Sequence, residues 1–99
     1  MDYFIYRVDK PGFEALRAAT RPDHLAFAKT MGDRLKYAGP TLASDEETMN
    51  GSVWVLEASS LEEADWITAQ DPYEKVDLFE SKVIHPILQV VPGLEDERS

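Results

Sequence analysis

Val53-Trp54-Val55-Leu56-Glu57-Ala58-Ser59-Ser60-Leu61-Glu62-Glu63-Ala64 is the stretch on which the fold turns. A β-branched and aromatic run, Val53 to Ala58, reads as a strand. Two serines follow, each with a glutamate three residues on. Ser59 with Glu62, or Ser60 with Glu63, has the spacing of a capping box, so a helix starts there. That helix should end near Gln70, because Pro72 pushes Asp71 out of helical conformation. A last strand is expected from about Asp77 through Ile84, with Pro86 bending or ending its regular pairing.

The first half of the chain repeats this strand-then-helix order. Tyr3 to Val8 is a compact strand run, and Asp9-Lys10-Pro11-Gly12 breaks it. Phe13 to Ala19 supplies a helical turn or two leading into a main helix from Arg21 to about Leu35. Thr20 is the expected cap, with Asp23 three residues on and Pro22 at a favourable early position. Lys36 to Ser44, with Gly39-Pro40, is extended, and Asp45 to Gly51 is a turn. The order is β-α-β-β-α-β, the ferredoxin-like α+β pattern of four mainly antiparallel strands with both helices on one face. We assign one domain to residues 1–92 and a flexible polar tail to Gly93–Ser99.

Neither Tyr3-Phe4-Ile5-Tyr6 nor Val53-Trp54-Val55-Leu56 alternates cleanly between apolar and polar residues. A sheet with one wet face should alternate. Two helices cover one face, so the other is expected to pack on a second copy, giving a homodimer joined through sheet faces or edges.

Bulk properties narrow the function. The 99 residues carry a net charge of −9. That balance disfavours nucleic acid, whose phosphates call for cations, and anionic membrane surfaces. The chain has no cysteine, which excludes disulfides, thiolate catalysis and Cys-ligated metals. No apolar run approaches membrane-spanning length. Met1-Asp2-Tyr3-Phe4 has no basic leader region. A cytoplasmic protein is expected.

Two residues sit where local rules prefer something else. Phe27, Ala28, Met31 and Leu35 form an apolar helical stripe, and His24 extends it by one turn toward the sheet. A buried structural histidine is one reading. A general acid or base is the other, since histidine titrates near neutral pH. Asp71 extends the stripe of Ala64 and Ile67. A carboxylate at a helix C-terminus meets the negative end of the dipole, at a cost of about 0.3–1 kcal/mol. Aspartate before proline also serves as plain turn punctuation. Both helices are expected to leave the sheet at the same edge and run parallel. That arrangement separates His24 from Asp71 by a helix length unless the segment after Asp71 folds back.

The motifs Arg21-Pro22-x-His24-Leu25, Ala38-Gly39-Pro40, Ala58-Ser59-x-x-Glu62-x-Ala64 and Asp71-Pro72-Tyr73, in that order, resemble the YCII-related family over about residues 3 to 88. The resemblance implies a dimeric α+β barrel of ferredoxin-like subunits, similar to muconolactone isomerase. It also implies an active-site pair, His24 and Asp71. Some relatives are dehydrochlorinases of chlorinated hydroxyquinones. The short acidic stretch between Ala43 and Gly51, with Asp45, Glu46 and Glu47, departs from better-known members, so ligand preference does not carry over. His85 reads as an edge or interface residue.

Two functions compete. In the first, a small enzyme uses His24 to move a proton on a small cyclic or carbonyl compound, with Asp71 orienting or stabilising the imidazole. Elimination or isomerisation fits, since neither needs a cofactor, and none is expected. Arg21 would hold an anionic substrate group, unless it is simply a solvated residue at the helix start. Tyr6 and Tyr73 would offer hydroxyls, although core packing suits Tyr6 better. In the second, a dimeric module binds a small ligand or a partner without turnover. Divalent metal held by His24, Asp23 and Asp71 is a minor third reading, and no metal is expected.

Overall fold

A computed structural model describes residues 1–93 of the chain. Past Gly93, the expected flexible tail lies outside the described residues. The elements are β1 (Asp2–Asp9), α1 (Glu14–Lys29), β2 (Leu35–Leu42), β3 (Met49–Glu57), α2 (Leu61–Ala69), α3 (Pro72–Lys75) and β4 (Phe79–Ile87). The strands form one sheet in the order β2-β3-β1-β4, and every neighbouring pair is antiparallel. This is the ferredoxin-like α+β arrangement, with a short third helix after the second.

Residue parity sorts the sheet into two faces. Tyr3, Ile5, Trp54 and Leu56 are buried beneath the helices, where they meet Ala64 and Ile67 of α2 and the Phe27–Leu35 stripe. Phe4, Tyr6, Val53 and Val55 point the other way and are only half-buried. Tyr37 and Val83, at 56% and 43% exposed, extend that second face outward. Both faces are apolar, which is why the strands do not alternate.

Four local expectations are corrected. Helix α1 runs unbroken from Glu14, so Thr20 is not its cap. Thr20 is a buried interior residue whose hydroxyl donates to the Leu16 carbonyl at 2.8 Å. Pro22 lies inside the helix rather than at its start. It removes one helical N–H and crowds the carbonyl one turn back, and the burial of Arg17, Thr20 and His24 on either side of it carries the helix through. The helix also stops earlier than expected, at Lys29, and Gly32 at φ +58° turns the chain toward β2. At the other end of the chain, β4 begins at Phe79 and continues through Pro86 to Ile87. Strand β4 is an edge strand, where a missing N–H can face away from the sheet.

Of the two possible capping boxes, Ser60 with Glu63 forms. The Glu63 N–H donates to Ser60 Oγ at 3.0 Å, and the Ser59 N–H donates to Glu63 Oε1 at 3.0 Å.

The expectation of parallel helices is also overturned. Strands β1 and β3 are antiparallel neighbours. The helices that follow them therefore leave from opposite ends of these two central strands and run antiparallel. The chain after α2 thus arrives beside α1 instead of a helix length away.

Gly51 marks where backbones crowd. A Cβ there would stand 2.8 Å from the Arg7 carbonyl of β1. Gly51→Ala should therefore cost about 1–3 kcal/mol through forced backbone displacement. Urea unfolding of the variant against the parent protein tests this, and an unchanged midpoint contradicts it.

Candidate functional site

Asp71 is the node of the site. Its backbone is extended, as the following proline requires, and its side chain caps α3. Pro72 occupies the first helical position, and the Tyr73 N–H donates to Asp71 Oδ1 at 2.9 Å. Asp71 thus faces the favourable N-terminus of α3, which offsets the penalty expected at the end of α2.

The His24 Nδ1–H donates into the same carboxylate, 2.8 Å from Oδ1 and 2.9 Å from Oδ2. The two residues reach each other because α1 and α2 are antiparallel and α3 packs along α1. Arg7 of β1 completes the group, its Nη2 lying 3.0 Å from Asp71 Oδ2. Arg7 Nη1 meets Glu74 Oε2 at 2.8 Å, and Lys82 meets Glu74 at 3.0 Å. Arg7 and Asp71 are fully buried. Burial by itself pushes the Asp71 carboxyl up. The His24 hydrogen bond, the charges of Arg7 and His24 and the Tyr73 N–H outweigh it and hold the group below the usual carboxylate range.

Aromatic rings fix the imidazole. Tyr73 stacks on it at 3.9 Å between ring centres and 17° between planes. Trp54 lies 6.1 Å away, itself stacked with Phe27. With Nδ1 committed to Asp71, the free position is Nε2, which makes no hydrogen bond among the described residues. His24 borders a cavity of about 160 Å³ that Arg21, Tyr73, Ser52, Ala38 and Pro40 also line. A cavity of about 150 Å³ accepts a benzene ring, so one six-membered ring fits.

Of the residues singled out in the sequence, His24, Tyr73 and Arg21 line this cavity, and Asp71 lies buried behind His24. Tyr6 does not, because it has the opposite parity to Arg7 and lies on the far face of the sheet. Asp23 is exposed, and among the described residues no group of three or more His, Asp or Glu is placed to hold a metal ion.

Sequence reasoning missed two buried arginines. Arg7 shares the parity of Tyr3 and Ile5, so a charge on the core-facing side of β1 was the available signal. Arg17 lies on the His24 face of α1, and placing the helix start after Thr20 concealed it. Arg17 holds Asp9 with two hydrogen bonds, Nε at 2.7 Å and Nη2 at 3.2 Å, and donates to the Gly51 carbonyl at 2.7 Å.

A ferredoxin-like domain with a buried histidine–aspartate pair beside a ring-sized cavity defines a class of small α+β proteins. The model of the YCII-related domain matches residues 1–88, and the chain belongs to that family. It is 34% identical to Protein YciI of Escherichia coli O6:H1 over 97 residues, covering 91% of this chain and 99% of that protein. Protein YciI of Shigella flexneri matches equally well, with the same identity and coverage. Among solved structures, it is similar to 5-chloro-2-hydroxyhydroquinone dehydrochlorinase from Burkholderia phenoliruptrix AC1100, in complex with 2,5-dihydroxybenzoquinone. There the identity is 30%, the TM-score 0.82, and coverage 89% of this chain and 94% of that one. Rv0793 from Mycobacterium tuberculosis, at 12% identity and TM-score 0.50 over 89% of this chain and 94% of that one, shares the fold alone.

Two stability predictions follow from the buried charges. Arg7→Met leaves Asp71 and Glu74 facing each other without their cation, and should cost about 3–5 kcal/mol in urea unfolding. The Asp71 carboxyl is depressed by folding, so its contribution is complete above the ordinary aspartate value, near pH 4, and is lost as pH falls through the folded value. Stability should drop from pH 5 to pH 3, and less steeply in Asp71→Asn. Equal pH slopes for the two proteins would contradict the assignment.

Proposed function

We propose that this protein is a cofactor-independent enzyme that moves protons on a small hydroxylated ring, in an elimination or isomerisation. The observation that carries the reading is the His24–Asp71 contact at the wall of a ring-sized cavity. Asp71 fixes the tautomer in which Nδ1 bears the proton, leaving the Nε2 lone pair directed to substrate. When Nε2 takes a proton, the buried carboxylate stabilises the imidazolium that forms. The dehydrochlorinase activity of the similar structure supports the ring class.

One histidine suffices for both chemistries. Nε2 removes a hydroxyl proton from the ring, and the oxygen electrons form a carbonyl as the proton is returned to a ring carbon. That is an isomerisation. If the carbon so protonated carries a halide, removal of a second hydroxyl proton forms a second carbonyl. The halide leaves with the carbon–halogen electron pair, and the net loss is one molecule of hydrogen halide. Arg21, at the rim of the same cavity, would face an anionic oxygen on the ring.

We also propose that the protein works as a homodimer. The apolar sheet face of Phe4, Tyr6, Tyr37, Val53, Val55 and Val83 supports this, since a subunit on its own would expose it to water. Tyr6 then serves the interface rather than the substrate.

His24→Gln should lower chloride release from chlorinated hydroxyhydroquinones by about 10²–10⁴-fold while the fold is retained by circular dichroism. Full activity in that variant overturns the mechanism. Saturable binding of 2,5-dihydroxybenzoquinone with no turnover of any ring in the panel would favour a ligand-binding module instead. In sedimentation, the parent should run at twice the 11.2 kDa chain mass. The double variant Tyr37→Glu, Val83→Glu should run as a monomer, and a parent that sediments as a monomer removes the dimer.

A further inference from the structure

A full positive charge is buried directly behind the base. Arg7 Nη2 lies 3.0 Å from Asp71 Oδ2, the same oxygen that stands 2.9 Å from His24 Nδ1. The guanidinium is held there. It packs on the rings of Trp54 and Phe79, 5.1 and 4.7 Å from their centres, and Nη2 also donates to Ser52 Oγ at 3.3 Å. Asp71 therefore answers two cationic partners at once: a permanent one from the strand, and an imidazole that is charged only while it carries a second proton.

That matters because the isomerisation asks opposite things of His24. It must take a proton from a hydroxyl and then give one to a ring carbon. Acid–base catalysis works best when the group holds its proton neither too weakly nor too firmly. A buried carboxylate acting alone on the imidazole would hold the imidazolium firmly, since charges in such a setting are poorly screened. Arg7 opposes this, because the Arg7–Asp71 pair as a whole carries no net charge. Few other charges act on the ring. Apart from Asp71, the buried charged side chains among the described residues are Arg7 and Arg17, and Arg17 is bound to Asp9. Arg21 stands exposed at the cavity rim. From α3, Tyr73 is uncharged at neutral pH, because burial raises its hydroxyl above the ordinary value. Glu74 reaches the group through Arg7, and Lys82 of β4 through Glu74.

We propose that Arg7 is a positioning residue for the proton transfer: its buried charge, acting through Asp71, loosens the carboxylate's hold on the imidazolium, so that His24 can return its proton to the ring. This role presupposes His24 as the proton-transferring base of the proposed function. Glu74, bound to Arg7 Nη1 at 2.8 Å, moderates the effect, and Lys82 moderates Glu74 in turn. The residues from Lys82 to Asp71 thus form a row of alternating charge, and their influence on the imidazole alternates in sign along it.

The test follows the ring protons of the two histidines, His24 and His85, by NMR across pH. His85 is exposed on β4 and serves as the internal reference. A neighbouring cation disfavours the imidazolium. In Arg7→Met, His24 should therefore take up its proton at a pH about one unit higher than in the parent, the scale for removing one nearby like charge. Glu74→Gln removes an anion and should move the same midpoint down, by less. Arg7→Lys keeps the charge and should restore most of the parent value. Lost packing alone would not drive two variants in opposite directions. The acid limb of kcat/KM for chloride release should follow the same order. Midpoints that stay with the parent in both variants, or that move together, overturn the proposal. Should Arg7→Met fail to fold, a Glu74→Gln midpoint at or above the parent's overturns it equally. Opposite shifts in a protein that turns nothing over remove the enzyme reading and keep the coupling of Arg7 to His24. Turnover that is lost in His24→Gln, with a midpoint unmoved in Arg7→Met and Glu74→Gln, does the reverse.

Discussion

The buried ion pair between Arg7 and Asp71 is the constraint around which the rest of the molecule is arranged. Two opposite charges removed from water are costly unless each finds further partners. Asp71 finds them in the Tyr73 N–H and the His24 imidazole, and Arg7 in Glu74 and Ser52. Glu74 in turn meets Lys82 at the edge of the sheet. The charges alternate from the cavity wall to the surface, so each buried charge of the network has a counterpart, while Arg7 Nε makes no hydrogen bond among the described residues. That network draws β1, β3, β4, α1 and α3 onto a single point, which a purely apolar core of this size would not do.

Topology decides that the point can exist at all. In an all-antiparallel sheet of order β2-β3-β1-β4, the helices after β1 and β3 must run in opposite directions. The chain leaving α2 then meets the flank of α1, and Pro72 turns it into a short helix laid against that flank. Asp71 is the hinge of this turn. Its capping of α3, its salt bridge to Arg7 and its hold on His24 are three uses of two oxygens.

Much of this was legible in the sequence, for reasons that can be named. The alternation of strand runs with capped helical stretches gave the element order, because capping chemistry and hydrophobic period are local. The inward lean of His24 and of Asp71 was readable from helical spacing. Their meeting was not, since it depends on relative helix direction, and the inference of parallel helices neglected the antiparallel pairing of β1 with β3. Thr20 and Pro22 imitated a helix start so well that Glu14 to Ala19 was set apart, and Arg17 went unnoticed with them. Arg7 was visible only to someone willing to place a charge on the core side of a strand, which burial statistics discourage. Tyr6 looked like Tyr73 by composition, and only strand parity separates them.

The capping role of Asp71 has a consequence for how the site can change over time. Because the same carboxylate closes α3 and holds the imidazole, a lineage without the proposed reaction still has reason to keep position 71 acidic. Retention of this aspartate among relatives is thus poor evidence of activity, whereas retention of the histidine opposite it is better evidence. The asymmetry also sets a direction for redesign. New proton chemistry is best introduced by exchanging residue 24 on its rigid helix, with the aspartate kept as inherited scaffolding.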